Sequence, residues 1–234
     1  MAAQLAYSRG LERQFLLSVS HDLRTPLTSI RGYAEAIADG TAPDPPDAAR
    51  VISAEAQRLS RLVGDLLDLA RLDAHEFSFD HRRVPVVEVV TETAEAMRPA
   101  AESAGVMLTV REPPGPSMAV VDPDRLAQCV ANLIENGLRF ATAELWVDTT
   151  VAPDGSVAIH VTDDGPGIAP AEVERVFTRL YVTDRTPRRR GGGTGLGLAI
   201  VEQLVAGMGG TVRAESPALD DGRGARLVIS LPAG

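Results

Sequence analysis

The sequence predicts two units of different fold class, an all-α helical hairpin followed by an α+β domain, and three observations carry that prediction. Up to about Arg71 the apolar residues recur at steps of three and four, the 3.6-residue period of amphipathic helices. A cluster of turn residues, DGTAPDPPD, cuts that pattern in two. From about His75 onward the chain changes to short runs of two-fold alternation, interleaved with helical stretches and richer in Gly and Pro.

The first helix is read from Leu16, Val19, Leu23, Leu27, Ile30, Ala34 and Ile37, which form one stripe. Pro26 lies inside it, removing one backbone bond and crowding the carbonyl of Asp22, so a bend is predicted there. Gly40, Pro43, Pro45 and Pro46 end the helix, and the second begins at about Asp47 as N-cap, with Ile52, Ala56, Leu59, Val63, Leu66 and Ala70 on one face. One partner helix covers only half of such a stripe. The hairpin is therefore predicted to dimerise into a four-helix bundle, the alternative being that both helices pack on the rest of their own chain. Met1 to Arg13 reads as the end of an upstream helix.

In the second unit EFSFD, VMLTVRE, MAVV, ELWVDTTV, SVAIHVTD, GTVRAES and ARLVISL read as strands, and residues 86–103, 123–138, 171–178 and 196–206 as helices. The PDG between two strand-like runs at 151–157 is a hairpin signal. No strand, Gly-rich turn and helix open the domain, which argues against a dinucleotide fold. The domains are drawn at 1–73 and 74–234, with a hinge near Leu69 to His75.

Composition removes several function classes. The 234 residues carry 23 Lys+Arg against 32 Asp+Glu, a net charge of -9, which argues against a broad nucleic-acid surface. A single cysteine, Cys129, cannot form an internal disulfide or a thiolate metal cluster, and it is expected in the core without a chemical role. No window of 18 apolar residues occurs, so membrane attachment is expected only through segments absent from this chain. All the basic residues are Arg, and without Lys neither a Walker A site nor a protein-kinase catalytic lysine can be built.

His21 falls almost opposite the centre of the first apolar stripe, with Thr25 one turn on and Asp22 on the flank. By geometry alone such a residue reads as an ordinary exposed histidine. Read as a block, however, SVSHDLRTPLTSIRGYAE at 18–35 resembles the phosphoacceptor motif of sensor histidine kinases of two-component signalling. The resemblance implies that His21 is phosphorylated on a ring nitrogen, that Asp22 orients or deprotonates the ring, and that the phosphoryl group passes to an aspartate of a response regulator receiver domain. It also implies that Thr25 can position a water for dephosphorylating that regulator. A neutral imidazole is a nucleophile near pH 7, so the chemistry is compatible.

Further along, CVANLIENGLRFA places Asn132 and Asn136 one turn apart, with Arg139 three residues on. Carboxamide oxygens can hold Mg²⁺ and the guanidinium can bind phosphate, although polar residues on a helix exterior look the same. VTDDGPGIAP at 161–170 ends a strand at Asp163 and turns through Gly165 and Gly167, and GGGTGLGLAI at 191–200 runs into a helix N-terminus whose amides suit phosphate. In order and spacing the three stretches resemble the nucleotide-binding boxes of the histidine kinase ATPase domain, whose superfamily includes gyrase and mismatch-repair ATPases. That resemblance implies an α+β sandwich ATPase domain, a mixed sheet with helices on one face, binding ATP and Mg²⁺. Asn136 is then the principal Mg²⁺ ligand assisted by Asn132, Arg139 contacts phosphate, and Asp163 reads adenine. Gly165, Gly167, Gly193, Thr194, Gly195, Leu196 and Gly197 shape the pocket and its lid. VFTRLYVTD resembles the box that anchors the lid, through Phe177, Arg179 and Tyr181, and Leu180 in place of a second Phe predicts a mobile segment from about Thr183 to Gly193. Gly137 stands where Ala is usual.

The resulting expectation is the cytoplasmic portion of a membrane-anchored sensor, a homodimer that autophosphorylates on His21 and serves a response regulator. A protein acting mainly as phosphatase through Thr25, and a silent ATP-binding dimerisation module, are the alternatives.

Overall fold

The computed structural model describes residues 2–74, 78–111, 115, 117–178 and 195–234, with backbone alone for 2–18, 21 and 73. The chain divides into two compact units, Met1–Arg71 and Leu72–Gly234. Among the described residues no helix is long and apolar enough to cross a membrane.

The first unit consists of α1 (Ala2–Ala38) and α2 (Pro45–Asp73). Pro26 does not interrupt α1, which continues for three more turns beyond it. Gly40, in the left-handed region, closes the helix while the N–H groups of Thr41 and Ala42 both return to the carbonyl of Ala36. The N-cap of α2 is Asp44, not Asp47: Asp44 Oδ1 accepts from the N–H of Asp47 at 2.9 Å. Pro45 and Pro46 then fill the first helical positions, where a missing N–H costs nothing.

The apolar face of α2 also differs from the periodic reading. Two stripes lie side by side, one residue apart, and Leu62 and Leu69 of the first are buried while Val63 and Leu67 of the second remain 45% and 54% exposed. A pattern of three and four cannot separate stripes offset by a single 100° step. On α1, Leu27 is 55% exposed as well.

The second unit runs β1 (Arg82–Pro85), α3 (Val86–Ala104), β2 (Met107–Arg111), β3 (Met118–Val121), α4 (Pro123–Phe140), β4 (Glu144–Val151), β5 (Val157–Asp163), a 3₁₀ turn (Val173–Arg175), α5 (Gly197–Gly207), β6 (Thr211–Glu215) and β7 (Ala225–Leu231). Five strands form one sheet in the order β2-β4-β5-β7-β6, parallel between β2 and β4 and antiparallel elsewhere. β1 and β3 make a separate antiparallel pair. α4 contributes Leu126, Cys129, Val130, Leu133 and Ile134 to the core, and the sheet meets it with Leu145, Val147, Ile159 and Val161, all buried. Each fully buried Leu or Ile stabilises the unit by roughly 1.5–3 kcal/mol. Cys129 lies in this core, where burial pushes its thiol up. The PDG signal is a β4–β5 hairpin, closed by the N–H of Ala152 donating to the carbonyl of Ser156.

Two predicted elements change and one unpredicted strand appears. Of EFSFD, residues 76 and 77 lie outside the described residues and 78–80 are not strand; Phe79 instead packs on α5, where a Cβ on Gly207 would come within 2.2 Å of its ring. The helix expected at 171–178 closes only the 3₁₀ turn. Finally, the RRVP strand β1 was not predicted, because four residues ending in Pro become a strand only beside β3.

Candidate nucleotide and phosphoacceptor sites

α1 places His21, Asp22 and Thr25 within one and a half turns. The His21 side chain lies outside the described residues; Asp22 is half-buried and Thr25 exposed. Pro26 supplies no N–H to the carbonyl of Asp22, and Thr28 Oγ1 donates to the carbonyl of Arg24 at 2.9 Å. The acceptor segment is thus a helix whose regular bonding is broken one turn beyond His21.

In the second unit α4 is positioned from its first residue. Asp122 caps it, Oδ1 accepting from the N–H groups of Asp124 at 3.1 Å and Arg125 at 3.2 Å, and Oδ2 from that of Asp80 at 3.0 Å. Burial raises this carboxyl, but the three N–H groups outweigh it and hold it below the ordinary range. With Leu133, Ile134 and Gly137 turned into the core, Asn132, Asn136 and Arg139 are left half-buried on the helix flank. Gly137 allows a close approach to β4: a Cβ there would stand 2.4 Å from Leu145 Cδ1. Its departure from Ala is therefore matched by the bulk of Leu145 rather than being only a loss of helix propensity.

Asn132 reaches the start of α5. A Cβ on Gly197 would lie 3.9 Å from Asn132 Nδ2, and that nitrogen is shielded from solvent with no acceptor among the described residues. Gly195 and Leu196 lead into the same helix end, with Leu196 fully buried and its carbonyl accepting from Ile200. Arg179, Tyr181, Gly193, Thr194 and the segment expected to be mobile, 183–193, lie outside the described residues, whereas Phe177 is buried.

Asp163 ends β5 and is only 6% exposed. Burial pushes its carboxyl up to about 6, against the N–H groups of Gly165 and Ala225 that favour the charged form, while the neighbouring Asp164 raises it further. Gly165 Nα donates to Asp163 Oδ1 at 2.9 Å. A Cβ at Gly165 would meet the carbonyl oxygen of Phe140 at 2.5 Å, so this turn packs directly on the C-terminal end of α4. Gly167, at φ 78°, adopts a conformation that L side chains rarely take.

Sequence reading missed Asp164, which looks like a twin of Asp163 and does a different job. Its Oδ1 accepts from Thr142 at 2.8 Å and from Ala143 and Glu144 at 3.1 Å, tying the α4–β4 loop to the end of β5. Burial raises that carboxyl, but these N–H groups hold it below the ordinary range. A doubled Asp gives no signal as to which backbone each member bonds, Gly165 and Ala225 for Asp163 and the α4–β4 loop for Asp164. Among the described residues no group of His, Cys, Asp and Glu could cage a metal ion.

A mixed sheet with helices packed on it is the fold class of the histidine kinase type of ATPase domain, and residues 121–234 match the family model described as histidine kinase-, DNA gyrase B-, and HSP90-like ATPase. Residues 11–75 match the His Kinase A (phospho-acceptor) domain. With both in tandem, the chain belongs to the sensor histidine kinases. It is 34% identical over 227 residues to the sensor histidine kinase WalK of Bacillus subtilis, covering 94% of this chain and 36% of that one. Against the sensor histidine kinase CpxA of Escherichia coli it is 36% identical over 221 residues, covering 94% and 47%. The chain thus spans between about a third and a half of these relatives. Among solved structures, the Acinetobacter baumannii histidine kinase AdeS shares the fold at a TM-score of 0.72 and 23% identity, over 92% of this chain and 98% of that one. Full-length ShkA in complex with AMPPNP gives 0.69 at 30% identity, over 94% and 45%.

Proposed function

We propose that this chain is the autokinase portion of a two-component sensor: it binds ATP in the second unit, phosphorylates His21 and passes the phosphoryl group to an aspartate of a response regulator receiver domain. The observation that carries the proposal is the pairing of the two matched domains in one chain, a phospho-acceptor region over 11–75 and an ATPase region over 121–234. A relative 30% identical to this chain was solved with AMPPNP, which supports an adenine nucleotide as the ligand. The domains are proposed as 1–73 for dimerisation and acceptor and 74–234 for catalysis.

In this reading Asp163 accepts a hydrogen bond from the adenine amino group, a role that needs the ionised carboxylate its two backbone N–H partners favour. Gly165, Gly167, Gly195, Leu196 and Gly197 let backbone approach the nucleotide, with Gly193 and Thr194 continuing the same run. Arg139 and Arg179 offset phosphate charge. The residues present fit Mg²⁺ through their donor chemistry: carboxamide oxygens of Asn136 and Asn132 add ligands without adding negative charge next to triphosphate, and Asn132 Nδ2, shielded and without an acceptor among the described residues, is a donor suited to a phosphate oxygen. When bound, that ion neutralises charge between the phosphates. His21 attacks with the lone pair of one ring nitrogen; the new N–P bond forms as the bridging P–O bond to ADP breaks, and the proton on the other ring nitrogen leaves to Asp22. In the second transfer the N–P bond breaks as the regulator carboxylate takes the phosphoryl group.

The homodimer is proposed from the side chains that a single chain leaves uncovered, Leu27, Val63 and Leu67. Anchoring to a membrane, with this portion in the cytoplasm, is proposed from the greater length of the relatives. A second reading adds phosphatase action on the regulator through Thr25, which is exposed one turn after His21. The primary test is incubation with γ-labelled ATP: acid-labile, alkali-stable label is expected, and it disappears in His21→Gln. Label that persists in that variant overturns the proposal.

A further inference from the structure

Ser216 lies 53 residues from Asp163 in sequence, in the connection from β6 to β7. Its hydroxyl nevertheless sits inside the turn that follows Asp163. Ser216 Oγ accepts from the N–H of Ile168 at 2.8 Å and donates to the carbonyl of Gly224 at 3.2 Å. Gly224 in turn donates its N–H to the carbonyl of Gly165 at 2.9 Å. The packing is as tight as the bonding: a Cβ on Gly167 would stand 2.8 Å from Ser216 Oγ, and one on Gly224 would stand 2.3 Å from the carbonyl oxygen of Asp163. The next residue, Ala225, pairs with Asp163 across β5 and β7 and donates to its carboxylate.

The turn carrying Asp163 is therefore clamped from both ends by one connection. Ser216 holds the far end at Ile168, Gly224 holds the near end at Gly165, and the hydroxyl joins the two halves of the clamp by bonding both Ile168 and Gly224. We infer that Ser216 is a positioning residue for nucleotide recognition, acting through the turn to fix the direction of the Asp163 carboxylate. The inference rests on the proposed reading of Asp163 as the group that accepts the adenine amino hydrogen. A carboxylate that reads one hydrogen bond must be held within a few tenths of an ångström; in this turn Asp164 anchors the end next to β5 through the α4–β4 loop, while Gly165 and Gly167 bring no side chains to hold the far end at Ile168. The connection supplies that stiffness from outside.

Removing the hydroxyl leaves the turn in place but looser, so its cost falls on adenine binding and not on transfer once nucleotide is bound. Titration calorimetry of ATP into the full chain should show Ser216→Ala weakening binding about three- to tenfold, the size of one lost buried hydrogen bond. Autophosphorylation at saturating ATP stays unchanged, and Ser216→Thr, which keeps the hydroxyl, restores affinity. A cycle with Asp163→Asn is decisive. If Ser216 acts through Asp163, Ser216→Ala adds little in the Asp163→Asn background. An equal loss of affinity in both backgrounds, or a fall in rate at saturation without a change in affinity, overturns the positioning role. If Asp163→Asn itself leaves ATP affinity untouched, the adenine reading of Asp163 fails, an outcome distinct from Ser216→Ala having no effect while Asp163→Asn does.

Discussion

Asp163 is predicted to cost the folded protein stability in order to stay ionised, and Asp163→Asn measures that cost. Burial raises its carboxyl from the usual 3.8 to about 6, so between those values the native state binds more protons than the unfolded chain. Stability therefore falls as pH rises through that window, and the full penalty is present above pH 6. At about 1.4 kcal/mol per pH unit the two-unit shift amounts to roughly 3 kcal/mol. The Asn amide keeps the bond from Gly165 but loses the one from Ala225, about 1 kcal/mol. The net expectation is that Asp163→Asn is more stable than the parent by about 2 kcal/mol at pH 8, with the difference closing or reversing near pH 4. Urea unfolding followed by the fluorescence of Trp146 is the assay, since this is the single tryptophan and it lies in β4, so the signal reports the second unit alone. The same substitution should weaken ATP binding by tenfold or more, and the parent's affinity, unlike the variant's, should drop as pH falls through 6. A stability difference that does not change between pH 8 and pH 4 would refute the reasoning.

Gly165→Ala forces a methyl group against the Phe140 carbonyl, and because backbone cannot yield as a side chain can, a loss of about 2–4 kcal/mol in the same Trp146 assay is expected together with loss of ATP binding. Leu67→Asp places a charge on the exposed stripe of α2 and should convert a dimer to a monomer in sedimentation while leaving ATP affinity unchanged; a dimer of unaltered strength would place the interface elsewhere. Thr25→Ala should slow decay of the phosphorylated regulator and preserve labelling of His21, and unchanged decay removes the phosphatase reading.

Much of the fold was legible because its signals are local. The β4–β5 hairpin is announced by PDG, and α4 by a Pro at its first position and an unbroken apolar face through Ile134. The misses share a different cause. Phe79 looked like part of an alternating strand, yet its partner is the missing side chain of Gly207, far along the chain. β1 exists only beside β3, and Val173, Val176 and Phe177 mimic a helical repeat in a stretch that closes a single 3₁₀ turn. On α2, periodicity identified an apolar helix and could not say which of two adjacent stripes its own chain covers.

For the site the division is similar. The sequence by itself determined which residue types are available: an Arg-only chain without a phosphate lysine, two Asn one turn apart, an Asp ahead of two glycines, and a histidine off the apolar stripe. Helical and strand periods also determined that Asn132, Asn136 and Arg139 share a flank, since spacing along a regular element fixes direction. Only the tertiary structure decided that Asp164 bonds the backbone of the α4–β4 loop while Asp163 is buried with its carboxyl on Gly165 and Ala225, and that Gly137 is matched by Leu145. It alone brought Ser216 and Gly224 to the Asp163 turn. Those relations depend on contacts between segments tens of residues apart, and burial, close approach and the resulting shift of a carboxyl to about 6 arise only when the segments meet.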